Sequence, residues 1–337
     1  MRIKRDNILT LIRDISMILI VFYHSMCYTV GIWGLNPQPQ SSYGAVAGFI
    51  ANLGLTFFVL ISGFLYETIS SQSKDYNSNK LFVIKKVKRL LVPYIIWGGI
   101  MVSCLGYSWK ELFGGIMHLW FLIMLFIVSV LFHLTRKIWG GKTIFKQFII
   151  LILLFVCQMG IYPLESFVTN STVLKLFKNV TDWLPVYYMG ILLVENKVFQ
   201  KLTNKNFIWV RTLFLSVLLY VIFITLNVKS EYLSLPHCVL FISIYIFLTN
   251  TKIQVLWDRV KISSLFDKLA KYSLGIYIIH HLLIYDTLKN IAVCRNLVNV
   301  YYSIAPILIF LIVLPLSYLF VALISRSRFS EYIIGVK

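Results

Sequence analysis

Long apolar stretches dominate this chain and constrain its fold more than any other feature. A helix that crosses about 30 Å of hydrocarbon needs about 20 mostly apolar residues. Scanning the sequence with this criterion gives ten predicted spans, at 15–32, 44–65, 90–107, 117–134, 147–162, 181–195, 207–227, 235–249, 270–291 and 301–324. Charged residues make up only 13% of the chain, about half the fraction found in soluble domains. The sequence therefore predicts an all-α membrane protein, a bundle of about ten transmembrane helices.

The distribution of basic residues predicts the orientation of this bundle. When the N-terminus is placed in the cytoplasm, 26 of the 32 Lys and Arg residues fall in inner segments and 6 in outer segments. Cytoplasmic loops carry such an excess of basic residues in membrane proteins. We therefore expect an even number of spans, with both termini cytoplasmic. Lipid headgroups account for the net charge of +19, so no nucleic-acid partner is expected.

The chain offers no sign of a further domain or of a metal site. The links between predicted spans are short, so residues 1–337 are expected to form a single integral membrane domain of the cell membrane, with an uncleaved first span. The five cysteines occur singly, without a CxxC pair or a His/Cys cluster: Cys27, Cys104, Cys157, Cys238 and Cys294. This pattern argues against a disulfide framework and a structural zinc site, and no metal is predicted.

Ionisable residues inside a membrane span are costly to keep and are candidates for function. The first span contains Arg13 and Asp14 at its start and His24 further along. Eleven residues of α-helix turn about 20° past three full turns, so Arg13 and His24 share a face, roughly 16 Å apart. The pair is either functional or structural; in the second case His24 forms a hydrogen bond across helices and Arg13 reaches the headgroups.

A basic stretch from Lys80 to Arg89 leads into the third predicted span. Lys86 and Arg89 are three residues apart, so on an α-helix they would share a face and form a two-pronged cationic site. Phosphate groups fit such a site. The alternative is an ordinary basic flank at the cytoplasmic surface.

Three further stretches place polar or small residues among apolar ones. Ser62 and Gly63 form a small pair that allows close helix approach. His118 and Trp120 stand at the outer end of the fourth predicted span, and His280 and His281 lie toward the middle of the ninth. Each alone is more typical of packing or interfacial anchoring than of chemistry.

These features occur in a characteristic order along nearly the whole chain. The motifs are Arg13-x10-His24, FFVLISGF at 57–64, KKVKRLLVPY at 85–94, HLWFL at 118–122, PVYYMGILL at 185–193 and YSLGIYIIH at 272–280. In this order they resemble the acyltransferase-3 family of multi-pass membrane acyltransferases. The chain resembles the short branch of that family, which lacks an attached hydrolase domain.

The resemblance implies a ten-helix enzyme that takes an acyl group, usually acetyl from acetyl-CoA, at the cytoplasmic face. The acyl group passes to a hydroxyl of a cell-surface or lipid-linked carbohydrate. The essential histidine of the family matches His24, and its paired arginine matches Arg13. The cytoplasmic Arg-x-x-Arg motif matches 86–89, with lysine in the first place. Many members carry an acidic residue before the paired phenylalanines; 54–56 has none, so no carboxylate is assigned in that span.

The resemblance suggests how the acyl donor would bind. Lys86 and Arg89, with Arg13, would bind the phosphates of acetyl-CoA, which is a substrate and not a bound cofactor. The resemblance implies an enzyme of the bacterial cytoplasmic membrane, with lipids, acetyl-CoA and a carbohydrate as partners. Protein partners are not predicted.

His24 is expected to act as general base on the acceptor hydroxyl, with His118 and Trp120 near the acceptor side. Ser62 and His280 are either acceptor-side or structural. Alternatively, His24 is the nucleophile and carries an acyl-imidazole. Two other classes remain open: an exporter of polysaccharide or lipid-linked sugar, with Arg13 and His24 along its pathway, and a purely structural partner of a larger assembly.

Overall fold

The computed structural model describes most of the chain, and all of its regular secondary structure there is helical. The described residues are 7–29, 41–72, 76, 78–141, 143–161, 171–197, 207–226, 228, 233–249, 263–288, 291–301 and 304–335. No strand occurs within these ranges. The predicted all-α class is therefore confirmed for the described part of the chain.

Fifteen α-helices and three other helical segments lie in these ranges. The α-helices are α1 (Asn7–Thr29), α2 (Ser41–Ser70), α3 (Asn79–Lys86), α4 (Val92–Leu105), α5 (Glu111–Gly114), α6 (Trp120–Leu134), α7 (Arg136–Trp139), α8 (Ile144–Ile161), α9 (Thr172–Glu195), α10 (Ile208–Thr225), α11 (Ser234–Leu248), α12 (Ser263–His281), α13 (Ala292–Val300), α14 (Ala305–Ile324) and α15 (Ser330–Ile334). A π-helical turn joins α3 to α4 (Val87–Leu91), a second follows α12 (Leu282–Thr287), and a 3-10 turn precedes α6 (Met117–Leu119).

Seven helical stretches in the described ranges are long and apolar enough to cross a membrane. They are Ile8–Cys27, Val46–Ser70, Asn79–Leu105, Glu111–Leu134, Ile144–Ile161, Ile208–Thr225 and Ala305–Ile324. Each overlaps one predicted span. The other three predictions, 181–195, 235–249 and 270–291, fall on α9, α11 and α12, of which α11 is shorter and α9 and α12 are less apolar than the seven stretches. The chain is a multi-pass membrane protein, while the count of ten and the orientation of the termini stay predictions.

Five of the seven helical stretches extend beyond their predicted limits, among them the second and the third. The second runs on to Ser70 and the third begins at Asn79. The apolar scan stops at the first cluster of polar residues, whereas a helix continues until its backbone hydrogen bonds end. The basic stretch from Lys80 to Arg89 is therefore part of a continuous helical segment, and Glu67 is part of the second span.

The chain divides into two compact units. Residues 7–58 and 257–337 belong to the first, here called the terminal unit; residues 59–256 belong to the second, the central unit. The boundary falls inside α2, between Phe58 and Val59. The two units are described separately below.

In the terminal unit, α1, α12 and α14 pack against one another. Arg13 Nη2 of α1 donates to the carbonyl oxygen of Ala270 at 2.8 Å, and His24 Nδ1 lies 2.6 Å from His280 Nε2. These pairs are separated by 257 and 256 positions along the chain. Because the separation is almost constant, α1 and α12 run parallel, as the first and ninth of ten alternating spans would.

In the central unit, the second half of α2 crosses α9 at two glycines. A Cβ atom at Gly63 would collide with the carbonyl oxygen of Tyr187, and one at Gly190 would collide with that of Leu60. Each helix therefore uses a glycine where the other backbone comes closest. The close approach predicted from Ser62 and Gly63 is confirmed.

We predict that Gly63→Ala destabilises the protein by about 1–3 kcal/mol, because an added methyl must move a backbone and not a flexible side chain. Gly48→Ala is the matched control on the same helix, since nothing lies within 4 Å of its Cβ position. That variant should be neutral or more stable by about 0.5–1 kcal/mol. Thermal unfolding of both variants in detergent measures the difference; equal midpoints would contradict the glycine contact.

Candidate functional site

Three buried histidines meet in the terminal unit: His24 of α1 with His280 and His281 of α12. His24 is 8% exposed and the other two 0%. The rings of His24 and His280 lie 4.8 Å apart between centroids, joined by the 2.6 Å nitrogen contact. The edge of His281 packs on His24, with ring centroids 5.2 Å apart. We call these three residues the histidine cluster.

The backbone of α12 changes at this cluster. His281 is the last residue of α12, and the π-helical turn Leu282–Thr287 follows directly. Such turns often occur at functional sites within helices. One turn before His280, the carbonyl oxygen of Ile276 lies 3.0 Å from His280 Nδ1. The helix that supplies His280 thus also orients its ring.

The structure brings Arg13 into the same unit as His24, on the same helix. Eleven residues of continuous α-helix separate them, about 16 Å along the axis. Arg13 donates to the Ala270 carbonyl, so part of its role is to hold α1 against α12. Asp14 beside it is fully buried.

Two of the predicted donor-binding residues, Lys86 and Arg89, lie in the central unit, whereas Arg13 lies in the terminal unit. The ammonium of Lys86 sits 5.5 Å from the ring centre of Phe82, while Arg89 is exposed. The π-helical turn Val87–Leu91 begins between them. Such a turn holds more residues than an α-helical turn, so the shared face expected from a three-residue spacing does not follow here. Whether both cations bind one ligand stays a prediction.

A cluster of polar and aromatic side chains in the central unit was not predicted. Arg136 Nη2 donates to Glu67 Oε1 at 2.7 Å, and the Arg136 guanidinium lies 5.8 Å from the ring centre of Tyr66. The Tyr66 hydroxyl lies 3.2 Å from His133 Nδ1, and the His133 ring stacks on Phe82 with centroids 3.9 Å apart. We call these five residues the cation-aromatic cluster.

Two sequence signals could have revealed the cation-aromatic cluster. His133 is an ionisable residue within the fourth predicted span, the same signal that singled out His24. Glu67 lies two positions past the predicted end of the second span at 65, within the observed stretch Val46–Ser70, so the helix carries a carboxylate that the apolar scan left out. Arg136 was counted only as a basic flank. Its pairing with Glu67 depends on the packing of α2 against α6 and α7.

The remaining predicted residues also belong to the central unit. His118 is buried in the 3-10 turn before α6, and Trp120 begins α6. Ser62 is half-buried on α2 beside the glycine that meets α9. Among the predicted site residues, His24 contacts His280 of α12, and Arg13 bonds to the Ala270 carbonyl of the same helix α12.

Over the described ranges, no group of three or more His, Cys, Asp or Glu side chains is arranged to hold a metal ion.

Comparison with known families decides the class of protein. A sequence profile of the acyltransferase-3 family, described as an acyltransferase domain, matches residues 6–326. The chain belongs to the acyltransferase-3 family. Searches of curated proteins and of solved structures found no match. As a member of this family with several apolar helices, the protein is a multi-pass membrane acyltransferase.

In this acyltransferase-3 protein, the ion pair of the cation-aromatic cluster yields a stability prediction. Arg136→Gln should leave the buried Glu67 carboxylate without its charged partner, at a cost of about 1–2 kcal/mol after allowance for the partly exposed arginine. Lys137→Gln removes a neighbouring exposed charge and should change stability little. Thermal unfolding in detergent compares the two. A loss as large for Lys137→Gln would mean that overall charge, and not the Glu67 contact, is responsible.

Proposed function

We propose that this protein transfers an acetyl group from cytoplasmic acetyl-CoA to a hydroxyl of a cell-surface or lipid-linked carbohydrate, in a bacterial cytoplasmic membrane. The observation that carries the proposal is His24, a buried histidine inside the first span that is paired with a second buried histidine. A buried imidazole within a membrane span is costly and calls for a function. In a chain of the acyltransferase-3 family, proton transfer during acyl transfer is the function that fits.

The donor would bind through cations at the cytoplasmic face. Coenzyme A carries several phosphates, and Lys86, Arg89 and Arg13 lie toward the predicted cytoplasmic ends of their helices. Guanidinium groups bind phosphate with two parallel hydrogen bonds, and lysine binds it as a point charge. In this proposal a phosphate is a partner of Arg13 in addition to the Ala270 carbonyl, which accepts from Arg13 Nη2.

The chemistry needs one proton acceptor close to the thioester. As the acceptor hydroxyl attacks the thioester carbonyl, His24 takes its proton. The new ester C–O bond forms, the C–S bond breaks, and the proton passes from His24 to the departing thiolate to give coenzyme A. Exclusion of water among packed helices would suppress hydrolysis of the donor.

The acceptor would approach from the outer side. His118 and Trp120, at the predicted outer end of the fourth span, offer a hydrogen-bonding group and an aromatic ring two positions apart in sequence. Aromatic faces of this kind suit the apolar side of a sugar ring.

Replacing His24 tests the proposal directly. His24→Phe keeps a planar ring of similar size and removes both nitrogens, so acetyl-CoA-dependent O-acetylation of envelope polysaccharide should fall at least 100-fold. His237→Phe makes the same change at a buried histidine of α11 and should retain activity. Both are measured at equal membrane abundance, with labelled acetyl-CoA and envelope preparations. Normal acetylation by His24→Phe would refute the general-base role of His24. Export of unmodified glycan by wild type, without acetylation, would instead favour an exporter of polysaccharide or lipid-linked sugar.

A second measurement separates direct transfer from an acyl-histidine intermediate. If the hydroxyl attacks the thioester directly, rapid quench of the enzyme with labelled acetyl-CoA and no acceptor should leave no label on the protein. His24→Phe supplies the background for this assay. Label that is present in wild type and lost in His24→Phe would instead assign His24 as the nucleophile.

A further inference from the structure

We propose that His280 is a positioning residue that fixes the tautomer of His24, so that Nε2 of His24 is the nitrogen that accepts the proton. The inference rests on the general-base role of His24 proposed above and deepens it. It concerns which ring nitrogen acts, and what holds that nitrogen toward the substrate.

The first step is the hydrogen bond between His280 and its own helix. His280 Nδ1 lies 3.0 Å from the carbonyl oxygen of Ile276. A carbonyl oxygen only accepts hydrogen bonds. His280 Nδ1 must therefore carry the proton and donate it, and in the neutral ring Nε2 of His280 carries the lone pair.

The second step passes this assignment to His24. His280 Nε2 lies 2.6 Å from His24 Nδ1, a short hydrogen bond that needs one donor and one acceptor. Because His280 Nε2 is the acceptor, His24 Nδ1 must be the donor. A neutral His24 therefore carries its lone pair on Nε2, on the side of the ring away from His280.

The third step concerns His24 after it has taken the proton. Both nitrogens of the imidazolium then carry a proton, and the bond from His24 Nδ1 to His280 Nε2 persists. A charged donor makes this bond stronger than it was in the neutral pair. The pair thus stabilises the protonated His24 formed during transfer, as a buried carboxylate does behind the histidine of a serine hydrolase. Here a backbone carbonyl and a second imidazole take that place.

The surroundings of the pair keep this geometry. His280 and Ile276 are both fully buried, so water does not compete for the carbonyl. The bond from Arg13 to Ala270 holds α1 and α12 in register on the same face of α1, about three helical turns from the cluster. The His281 ring, nearly perpendicular to that of His24 at an interplanar angle of 87°, packs against it and restricts its rotation.

The kinetic test uses two substitutions of His280 in the full-length protein in membranes. His280→Phe keeps a planar ring without an acceptor. The maximal rate at saturating labelled acetyl-CoA should fall about 100-fold, while the KM for acetyl-CoA should change less than about twofold, as expected when a partner that orients a reactive histidine is lost. His280→Gln can place its side-chain oxygen near the position of Nε2, so its maximal rate should be at least tenfold higher than that of His280→Phe. His237→Phe serves again as control.

The spectroscopic test observes the tautomer itself. In histidine-15N-labelled protein in lipid nanodiscs, the His24 signals are those that disappear in His24→Phe. In wild type they should show a protonated Nδ1 and an unprotonated Nε2, and His280→Phe should remove this preference. A protonated Nε2 in wild type would overturn the inference, even if His280→Phe fails to accumulate.

The outcomes separate this inference from the proposed function. If His24→Phe is inactive while His280→Phe retains the wild-type rate, His24 remains the base and the positioning role of His280 is wrong. If His280→Gln is as slow as His280→Phe, a hydrogen-bond acceptor at the position of His280 Nε2 does not sustain the rate, and the inference fails. If wild type and His24→Phe acetylate equally, the proposed function itself fails.

Discussion

In the hydrocarbon core of a bilayer a polar group has no water to bond, so it must find its partner within the protein. The backbone meets this requirement by forming helices, which accounts for the all-helical structure of the described ranges. Polar side chains meet it by pairing across helices. His24 with His280, and Arg13 with the carbonyl of Ala270, are two such pairs in the terminal unit. Together they set the direction and register of α1 against α12.

The same constraint links stability to chemistry in this acyltransferase-3 protein. A pair that satisfies two buried groups also determines which atom donates and which accepts, because each group has limited capacity. In the histidine cluster this produces a defined lone pair on His24. In the cation-aromatic cluster, the carboxylate of Glu67 accepts a hydrogen bond from Arg136 and balances its charge. The Tyr66 ring lies against the Arg136 guanidinium, and the Phe82 ring stacks on His133. Proton transfer is our proposal for the histidine cluster, whereas the observed contacts of the cation-aromatic cluster join α2 to α6 and α7.

Several residues of the candidate site could be predicted from the sequence, and there are physical reasons why the others could not. Arg13 and His24 were found because an ionisable residue stands out in an apolar helix, and their spacing follows from helix geometry alone. Glu67 was not predicted as part of the second span, because a scan for apolar residues ends before the helix does. The shared face of Lys86 and Arg89 was argued for an unbroken α-helix, and the π-helical turn between them changes that angle.

The sequence by itself determined the class of protein, most of its spans and the residues that are costly to bury, because apolar length, charge asymmetry and helical periodicity are local properties. It also carried the motifs that indicated the acyltransferase-3 family, and the family profile confirms that membership. Only the tertiary structure decided the partners. His24 and His280 are 256 positions apart, and no local pattern states that one ring will face the other. That contact depends on how α1 and α12 pack, and with it the choice of the nitrogen on His24 that is able to accept a proton.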